Sequence, residues 1–314
     1  MIVSLTLNPS LDRAVEVEQL VPGTVIRARR ATLDPGGKGV NVSRALLAAS
    51  VPSRAVLPVG GPQGDQLVRL LRAEGVDVVA VQIRGGTRSN ITLAEPDGAI
   101  TKINEPGPTL SADELDAITE AVLAATHAAD WVAACGSLPP GVTDDYYARL
   151  CRRLVSAGIR VAVDTSGPAL LAAVAAGPTV VKPNREELAE AVDAPLRSVG
   201  EAVEAAQVLR SKGARDVLVS LGSDGALLVS EDGVVSGDAH VAGPRSTVGA
   251  GDALLAGYLA AGAEGPEALA EGLAWAAAAV AQPGSRMPAP DQIRRSAVRL
   301  HDRTNLSRPL VSSG

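Results

Sequence analysis

Short apolar runs rich in valine, alanine, leucine and isoleucine recur along the chain, separated by longer stretches in which alanine and leucine return at helical spacing. The runs at 2–8, 54–59, 77–83, 131–135, 160–164, 179–182 and 217–221 read as strands. The spacing predicts helices over 41–49, 63–73, 112–126, 144–156, 168–175, 185–192 and 199–212. Ser111 with Glu114 three positions later makes a capping box, which fixes one helix start. Strands that are apolar throughout, alternating with helices, predict a mainly parallel sheet covered on both faces. Two regions break the rhythm. Residues 13–33 and 88–104 alternate apolar and polar positions around the turn signals Pro22-Gly23 and Pro96-Asp97-Gly98, and read as strand pairs outside the main sheet, one small β-layer assembled from both. After residue 217 the pattern is hairpin-like to 241, and helices are predicted over 249–263, 266–281 and 291–299. The last dozen residues, 303–314, are polar and expected to fray.

Composition narrows the classes. The 314 residues carry a net charge of −6 without long runs of one sign, which excludes the clustered Lys and Arg of a nucleic-acid footprint. Apolar stretches such as 273–281 are far short of a membrane span, and the first residues read as a strand with no basic leader. A cytoplasmic protein is expected, with neither a nucleic acid nor a membrane as partner. Cys135 and Cys151 do not make a disulfide framework and read as buried thiols. His127, His240 and His301 lack ligand-like spacing. With no phenylalanine, the core must be aliphatic.

The polar residues fall where strands end. The run at 2–7 leads to Asn8 and then Asp12; 131–135 to Gly136-Ser137; 160–163 to Asp164-Thr165-Ser166; 179–181 to Lys182-Pro183-Asn184; and 217–219 to Ser220-Leu221-Gly222. In a parallel sheet the carboxyl ends of the strands share one edge, where ligands bind. Thr247-Val248-Gly249-Ala250-Gly251-Asp252 runs straight into a helical stretch. Glycines there let backbone N–H groups approach an anion, and the helix dipole favours it. A plain helix start with an acidic first turn is the bland reading, but capping does not require two glycines ahead of the Asp. A second cluster, Pro35-Gly36-Gly37-Lys38-Gly39-Val40-Asn41, is no P-loop, because Lys38 is followed by glycine rather than Ser or Thr. It suits close backbone approach to a polar ligand, with Lys38 and Asn41 facing it. No dinucleotide fingerprint completes, since Leu254 stands where a third glycine would follow Gly249 and Gly251. Asn184 can cap a helix, and Glu187 reads equally as a surface charge or as a carboxylate ordering water around a divalent ion.

Together these motifs, with Thr87-Arg88-Ser89-Asn90 and Gly136-Ser137-Leu138-Pro139-Pro140-Gly141, resemble the PfkB branch of the ribokinase-like sugar kinases, in the phosphofructokinase and tagatose-6-phosphate kinase group. The resemblance implies a ribokinase-like three-layer α/β/α sandwich with a central, mainly parallel sheet and a small β-strand lid. One kinase domain would span 1–302, with 13–33 and 88–104 as the lid. It implies ATP and Mg²⁺, a phosphosugar substrate, and a homodimer through the lid. Carried over position by position, Asp252 would be the catalytic base and Gly249, Ala250 and Gly251 the anion hole. Asp12, Gly37, Lys38, Asn41 and Arg88 would hold the phosphosugar, with Ser137 nearby and Arg27 reaching in from the lid. Lys182, Asn184, Ser220, Gly222 and Thr247 would line the ATP phosphate side, and Glu187 would order Mg²⁺ through water.

The helix N-terminus is expected to lower the pKa of Asp252, leaving a weak base that mainly orients the acceptor hydroxyl. By the resemblance, the Lys38 variant of the glycine cluster points to fructose 1-phosphate, with fructose 6-phosphate and tagatose 6-phosphate as alternatives. A kinase for an unphosphorylated sugar or nucleoside would leave Lys38 and Arg88 facing a neutral ligand. A catalytically silent sensor would be favoured by an altered Asp252 or glycine cradle, and both are intact.

Overall fold

A computed structural model describes residues 1–96 and 98–311. The first half of the chain contains β1 (Ile2–Thr6), β2 (Ser10–Glu16), β3 (Arg30–Gly36), α1 (Lys38–Ala48), β4 (Ser53–Val59), α2 (Gly61–Glu74), β5 (Val78–Gln82), β6 (Arg88–Ala94), β7 (Ile100–Asn104), α3 (Ala112–Ala125), β8 (Trp131–Cys135) and α4 (Tyr146–Ser156). The second half adds β9 (Arg160–Asp164), α5 (Gly167–Val174), β10 (Val180–Val181), α6 (Arg185–Val192), α7 (Val199–Ser211), β11 (Asp216–Ser220), β12 (Ala226–Ser230), β13 (Gly233–Ala239), α8 (Ala250–Ala260), α9 (Gly265–Val280) and β14 (Val298–Leu300).

The main sheet runs β14-β13-β12-β11-β10-β9-β8-β1-β4-β5. From β5 to β11 the neighbours are parallel, and β12, β13 and β14 extend the edge antiparallel. One face is covered by α3 to α7 around Ile118, Leu154, Leu170, Leu188 and Leu209. Leu46 of α1, Leu255 and Tyr258 of α8 and Trp275 of α9 cover the other. This is a three-layer α/β/α sandwich. The chain leaves β1 for β4 and β5 on one side and returns to β8, β9, β10 and β11 on the other, so strand order reverses beside β1. A cleft outside the carboxyl ends of the strands is expected at that reversal.

The two irregular regions pair into one four-stranded sheet, β3-β2-β6-β7, standing apart from the main one. β2 runs parallel to β6 with Asp12 opposite Asn90, which places both on one cross-strand pair. Of the turn signal at 96–98, Asp97 lies outside the described residues, and Gly98 N–H donates to the Glu95 carbonyl at 3.1 Å. The capping box of α3 is formed: Ser111 Oγ accepts from Glu114 N–H at 3.3 Å, and Glu114 accepts from Ser111 N–H at 2.7 Å.

Two expectations are corrected. Residues 291–299 are not a helix but two 3₁₀ turns, Pro290–Gln292 and Arg295–Ala297, running into β14. β14 pairs with Gly237–Ala239, so the hydrogen bonds of a sheet edge outweigh a helical pattern carried by few apolar residues. Nor does the tail fray as far as residue 311. Leu310 is buried and its N–H donates to the Arg197 carbonyl at 2.8 Å, and Gly200 N–H donates to the Leu306 carbonyl at 2.8 Å. One buried leucine and a run of backbone bonds are enough to dock a segment whose composition reads as solvated. Residues 312–314 lie outside the described residues.

Candidate active site

A cleft of about 280 Å³ opens where strand order reverses, and its wall includes Asp12, Lys38, Asn41, Arg88, Glu187 and Asp252. Gly37, Ser137 and Gly249 also line it. These residues come from both sheets and from two helix starts. Strands β2 and β6 of the four-stranded sheet supply Asp12 and Arg88, α1 supplies Lys38 and Asn41, and α8 supplies Asp252.

Backbone geometry makes the two glycine clusters necessary. Gly37 caps α1 at φ 120°, and a Cβ there would stand 2.6 Å from the Thr6 methyl. Gly249 caps α8 at φ 81°, a left-handed conformation that side chains resist. No side chain caps α8, so the N–H groups of its first turn, at Gly251 and Asp252, have no helical partner and are open to an anion. Asp252 is buried on that first turn, and its Oδ2 accepts from Asn41 Nδ2 at 2.8 Å.

The electrostatics of Asp252 run opposite to the expectation from the helix dipole. Burial, and after it the charge of Asp164, pushes its carboxyl up to about 6, while Asn41, Lys182 and Lys38 pull it back. Dipole stabilisation of a surface carboxylate is modest, whereas complete desolvation is not. Asp252 is therefore a stronger base than a first-turn position alone suggests, and its pKa lies close to neutrality, where general-base catalysis is efficient.

Asp164 is the residue that sequence reasoning left without a role. It is fully buried at the end of β9, with Lys38 Nζ donating to Oδ1 at 2.7 Å and Lys182 Nζ forming an ion pair with Oδ2 at 3.1 Å. Burial alone would raise its pKa, but Lys182 and Lys38 together hold it below the usual carboxylate range. Lys38 also donates to Glu187 Oε1 at 3.0 Å. Burial works against the charge of Lys38, but Asp164 and Glu187 more than compensate, so its ammonium loses its proton far less readily than an ordinary lysine. Lys38 is thus paired with two carboxylates rather than standing as a free cation. The signal for Asp164 was present in Arg160-Val161-Ala162-Val163-Asp164, an acid closing an apolar strand, but its two lysine partners could not be read from spacing.

Glu187 and Asn184 form a reciprocal capping box at the start of α6: Asn184 Oδ1 accepts from Glu187 N–H at 2.7 Å, and Glu187 Oε2 accepts from Asn184 N–H at 2.9 Å. Lys182 is buried beside Asp164, and a Cβ on Gly251 would stand 3.5 Å from its Nζ. Ser220 ends β11 in a parallel bridge with Asn184, and Gly222 follows at φ 61°. Thr247 is exposed, and its carbonyl accepts from Ala250 N–H at 3.3 Å. Lys182, Asn184, Ser220 and Gly222 follow the same sheet edge, and Thr247 stands just ahead of α8. Arg27 is not brought to it: it sits exposed on the loop between β2 and β3.

On the other wall, Arg88 donates to the carbonyls of Glu105 at 2.9 Å and Asn8 at 3.1 Å. Asp12 Oδ1 accepts from Ser10 Oγ at 2.7 Å and Asn90 Nδ2 at 2.9 Å. Arg88 Nε and the Oδ1 atoms of Asn8, Asn41 and Asn90 are buried without a hydrogen-bond partner. Buried polar atoms are seldom left unpaired, and four of them on residues lining one cleft mark a wall built to hydrogen-bond a ligand.

Comparison with known proteins decides the family. Residues 5–292 match the pfkB family carbohydrate kinases. The chain belongs to that family. A 1-phosphofructokinase of Bacillus subtilis (strain 168) is 38% identical to this pfkB kinase over 260 residues, covering 83% of this chain and 85% of the relative. The ATP-dependent 6-phosphofructokinase isozyme 2 of Escherichia coli (strain K12) is 36% identical over 300 residues, covering 94% and 97%. Among solved structures, phosphofructokinase-2 from Escherichia coli in complex with potassium superposes with a TM-score of 0.88 at 36% identity, over 93% of this chain and 96% of that one. Arabidopsis thaliana ribokinase, at 22% identity and a TM-score of 0.74, shares the fold. The pfkB kinase is therefore a ribokinase-like α/β enzyme, and among its described residues no helix is long and apolar enough to cross a membrane.

Proposed function

We propose that this pfkB kinase transfers the γ-phosphoryl group of ATP to fructose 1-phosphate, giving fructose 1,6-bisphosphate in the cytoplasm. The observation that carries the reading is Asp252, a buried base at an uncapped helix start, in one cleft with Asp12, Asn41 and Arg88. Asp252 would take the proton of the acceptor hydroxyl while Asn41 holds its carboxylate in place. The first-turn N–H groups of α8 would face the transferred phosphoryl group, whose loose transition state is favoured by positioning and charge rather than covalent chemistry. Asp12 and the asparagines would meet sugar hydroxyls, and the unpaired Arg88 Nε would meet the resident phosphate.

Lys182, Asn184, Ser220, Gly222 and Thr247 would follow the nucleotide phosphates, with Lys38 between the two substrates. For Mg²⁺ the donor that lines the cleft is Glu187, which would order the ion through water, with the rest of its shell from water and phosphate oxygens. When bound, the ion would neutralise phosphate charge.

The furanose form of fructose presents its 1- and 6-carbons nearly symmetrically, so one cleft could accept either monophosphate. Lys38 is occupied by Asp164 and Glu187 and so does not itself choose between them. The choice of the 1-phosphate rests on the glycine-cluster variant and on the Bacillus subtilis relative. An ADP-release assay across fructose 1-phosphate, fructose 6-phosphate, tagatose 6-phosphate, free fructose and adenosine is expected to give its highest kcat/KM with the first. A higher value for fructose 6-phosphate overturns the isomer and keeps the kinase. A higher value for fructose or adenosine overturns the phosphate role of Arg88.

The β3-β2-β6-β7 sheet, from segments 13–33 and 88–104, would act as a lid that also joins two subunits. Ile100 and Ile103 on β7 are 61% and 53% exposed, unusual for isoleucines facing only water. Phosphosugar is expected to slow hydrogen exchange across both segments, and joint Ile100→Lys and Ile103→Lys substitution to lower the mass seen by light scattering. Unchanged exchange removes the lid, and an unchanged mass removes the edge strand β7, whose two faces carry Ile100 and Ile103, from the dimer contact.

A further inference from the structure

The docked C-terminal segment lies beyond the residues that match the family, which end at 292, and it reaches the nucleotide side of the site at two points. The first is Asp224, in the 3₁₀ turn Gly222–Asp224 that follows β11. Asp224 is buried, and the strap satisfies it on three sides. Arg308 Nη1 donates to Oδ1 at 2.7 Å, Arg308 Nη2 donates to the Asp224 carbonyl at 3.0 Å, and Val311 N–H donates to Oδ2 at 2.7 Å. The second point is Arg185, the first residue of α6, directly after Asn184. Its Nη1 donates to the Val311 carbonyl at 2.6 Å, and its Nε donates to the Leu196 carbonyl at 2.9 Å. Leu310 between them is buried in the core that α6 and α7 cover.

We propose that the strap 305–311 is a positioning element for the nucleotide, holding the Gly222 turn and the start of α6 at a fixed separation by way of Arg308–Asp224 and Val311–Arg185. This rests on the reading of Asn184 and Gly222 as the nucleotide side. The geometry leaves the turn few alternatives. Gly225, which closes it, has φ 93°, and a Cβ there would run into the Gly237 carbonyl, so the turn is confined from below by β13 and from the side by the strap. Without Arg308, the buried Asp224 carboxylate keeps one backbone partner and loses its counter-charge. It then favours a turn conformation that lets it reach water. The Gly222 N–H and the Asn184 side would no longer be presented together. Of the cleft wall only Glu187 lies on either element, and Asp12, Asn41 and Arg88 come from β2, α1 and β6, so the affinity for phosphosugar is unaffected.

The experiment compares wild type with Arg308→Ala and Arg308→Lys. Arg308 is one-third exposed on an open cleft at the sheet edge, so its removal leaves the core intact. Arg308→Ala is expected to raise the KM for ATP roughly tenfold, within the loss that misplacing a positioning element produces, and to leave the KM for phosphosugar unchanged. Arg308→Lys, which keeps the charge on Asp224, restores most of the loss. Hydrogen exchange separates the proposal from the reading beneath it. In wild type, ATP is expected to slow exchange at 220–225 and at 184–188; if it does not, the nucleotide side lies elsewhere and both fall. If it does, and Arg308→Ala keeps the same protection and the same KM for ATP, the strap alone is overturned. A parallel rise in both KM values, or no rescue by lysine with a lowered melting temperature, assigns Arg308 to general stability and also overturns the proposal.

Discussion

Asp252→Asn is expected to lower turnover by about 10²–10⁴, the range for removing a positioned acid–base group, in a protein that remains folded. The substitution keeps the shape and the contact with Asn41 but removes the only carboxylate on the first turn of α8. The acid side of the wild-type pH profile carries the same information. With the Asp252 pKa pushed up to about 6 by burial and by Asp164, kcat/KM should fall as pH drops through that value. Stability follows the opposite sense. A carboxyl whose folded pKa lies above its unfolded one weakens the fold as pH rises between the two, because the folded state binds the extra proton. Asp252→Asn should therefore melt no lower than wild type at neutral pH. Near-normal turnover in a folded Asp252→Asn enzyme would remove it from the chemistry.

Asp164→Asn should produce the largest loss of stability, about 3 kcal/mol, as expected when one member of a buried ion pair is removed. Lys38 keeps Glu187 and is one-third exposed, so most of the penalty falls on Lys182, which is 4% exposed and has Asp164 as its ion-pair partner. The carboxyl of Asp164 is held below its ordinary range in the folded state, so its contribution is present above the unfolded carboxylate pKa and is lost as pH falls through the folded one. The gap in melting temperature between wild type and variant should be full at pH 7 and close in acid. A second effect distinguishes this residue from a merely structural one. The charge of Asp164 is the next cause after burial of the raised Asp252 pKa, so its removal should move the acid limb of kcat/KM to lower pH. An unshifted limb would mean that the two carboxylates do not sense each other.

Much of this was legible in the residues. The polar residues that close five apolar runs lie along one sheet edge, and the run Thr247 to Asp252 is a helix start with open N–H groups. What was not legible depended on distance in the chain. Lys38 and Asp164 are 126 positions apart, and nothing local to either names the other. The pKa of Asp252 was misjudged because its dipole is written in the sequence and its burial is not. Residues 291–299 look helical by spacing, yet β13 offers an open edge, and a tertiary partner outranks local periodicity. The tail reads as solvent-exposed because one leucine and one arginine carry its attachment, too few for a composition argument to notice.

The position of β1 between β4 and β8 sets a schedule for synthesis. Ile2 is paired on one side with Ser53 and on the other with Trp131, and the wall that Thr6 begins is completed by Asp252. At ribosomal rates of about 5–20 residues per second, roughly ten to fifty seconds separate those two residues. For the first half of that interval, until β8 is made at 131–135, the first apolar strand has neighbours on neither side and then on one. A parallel sheet built from the middle outward cannot lay down its central strand last, so the nascent chain must carry that strand, unpaired, until its later neighbours arrive.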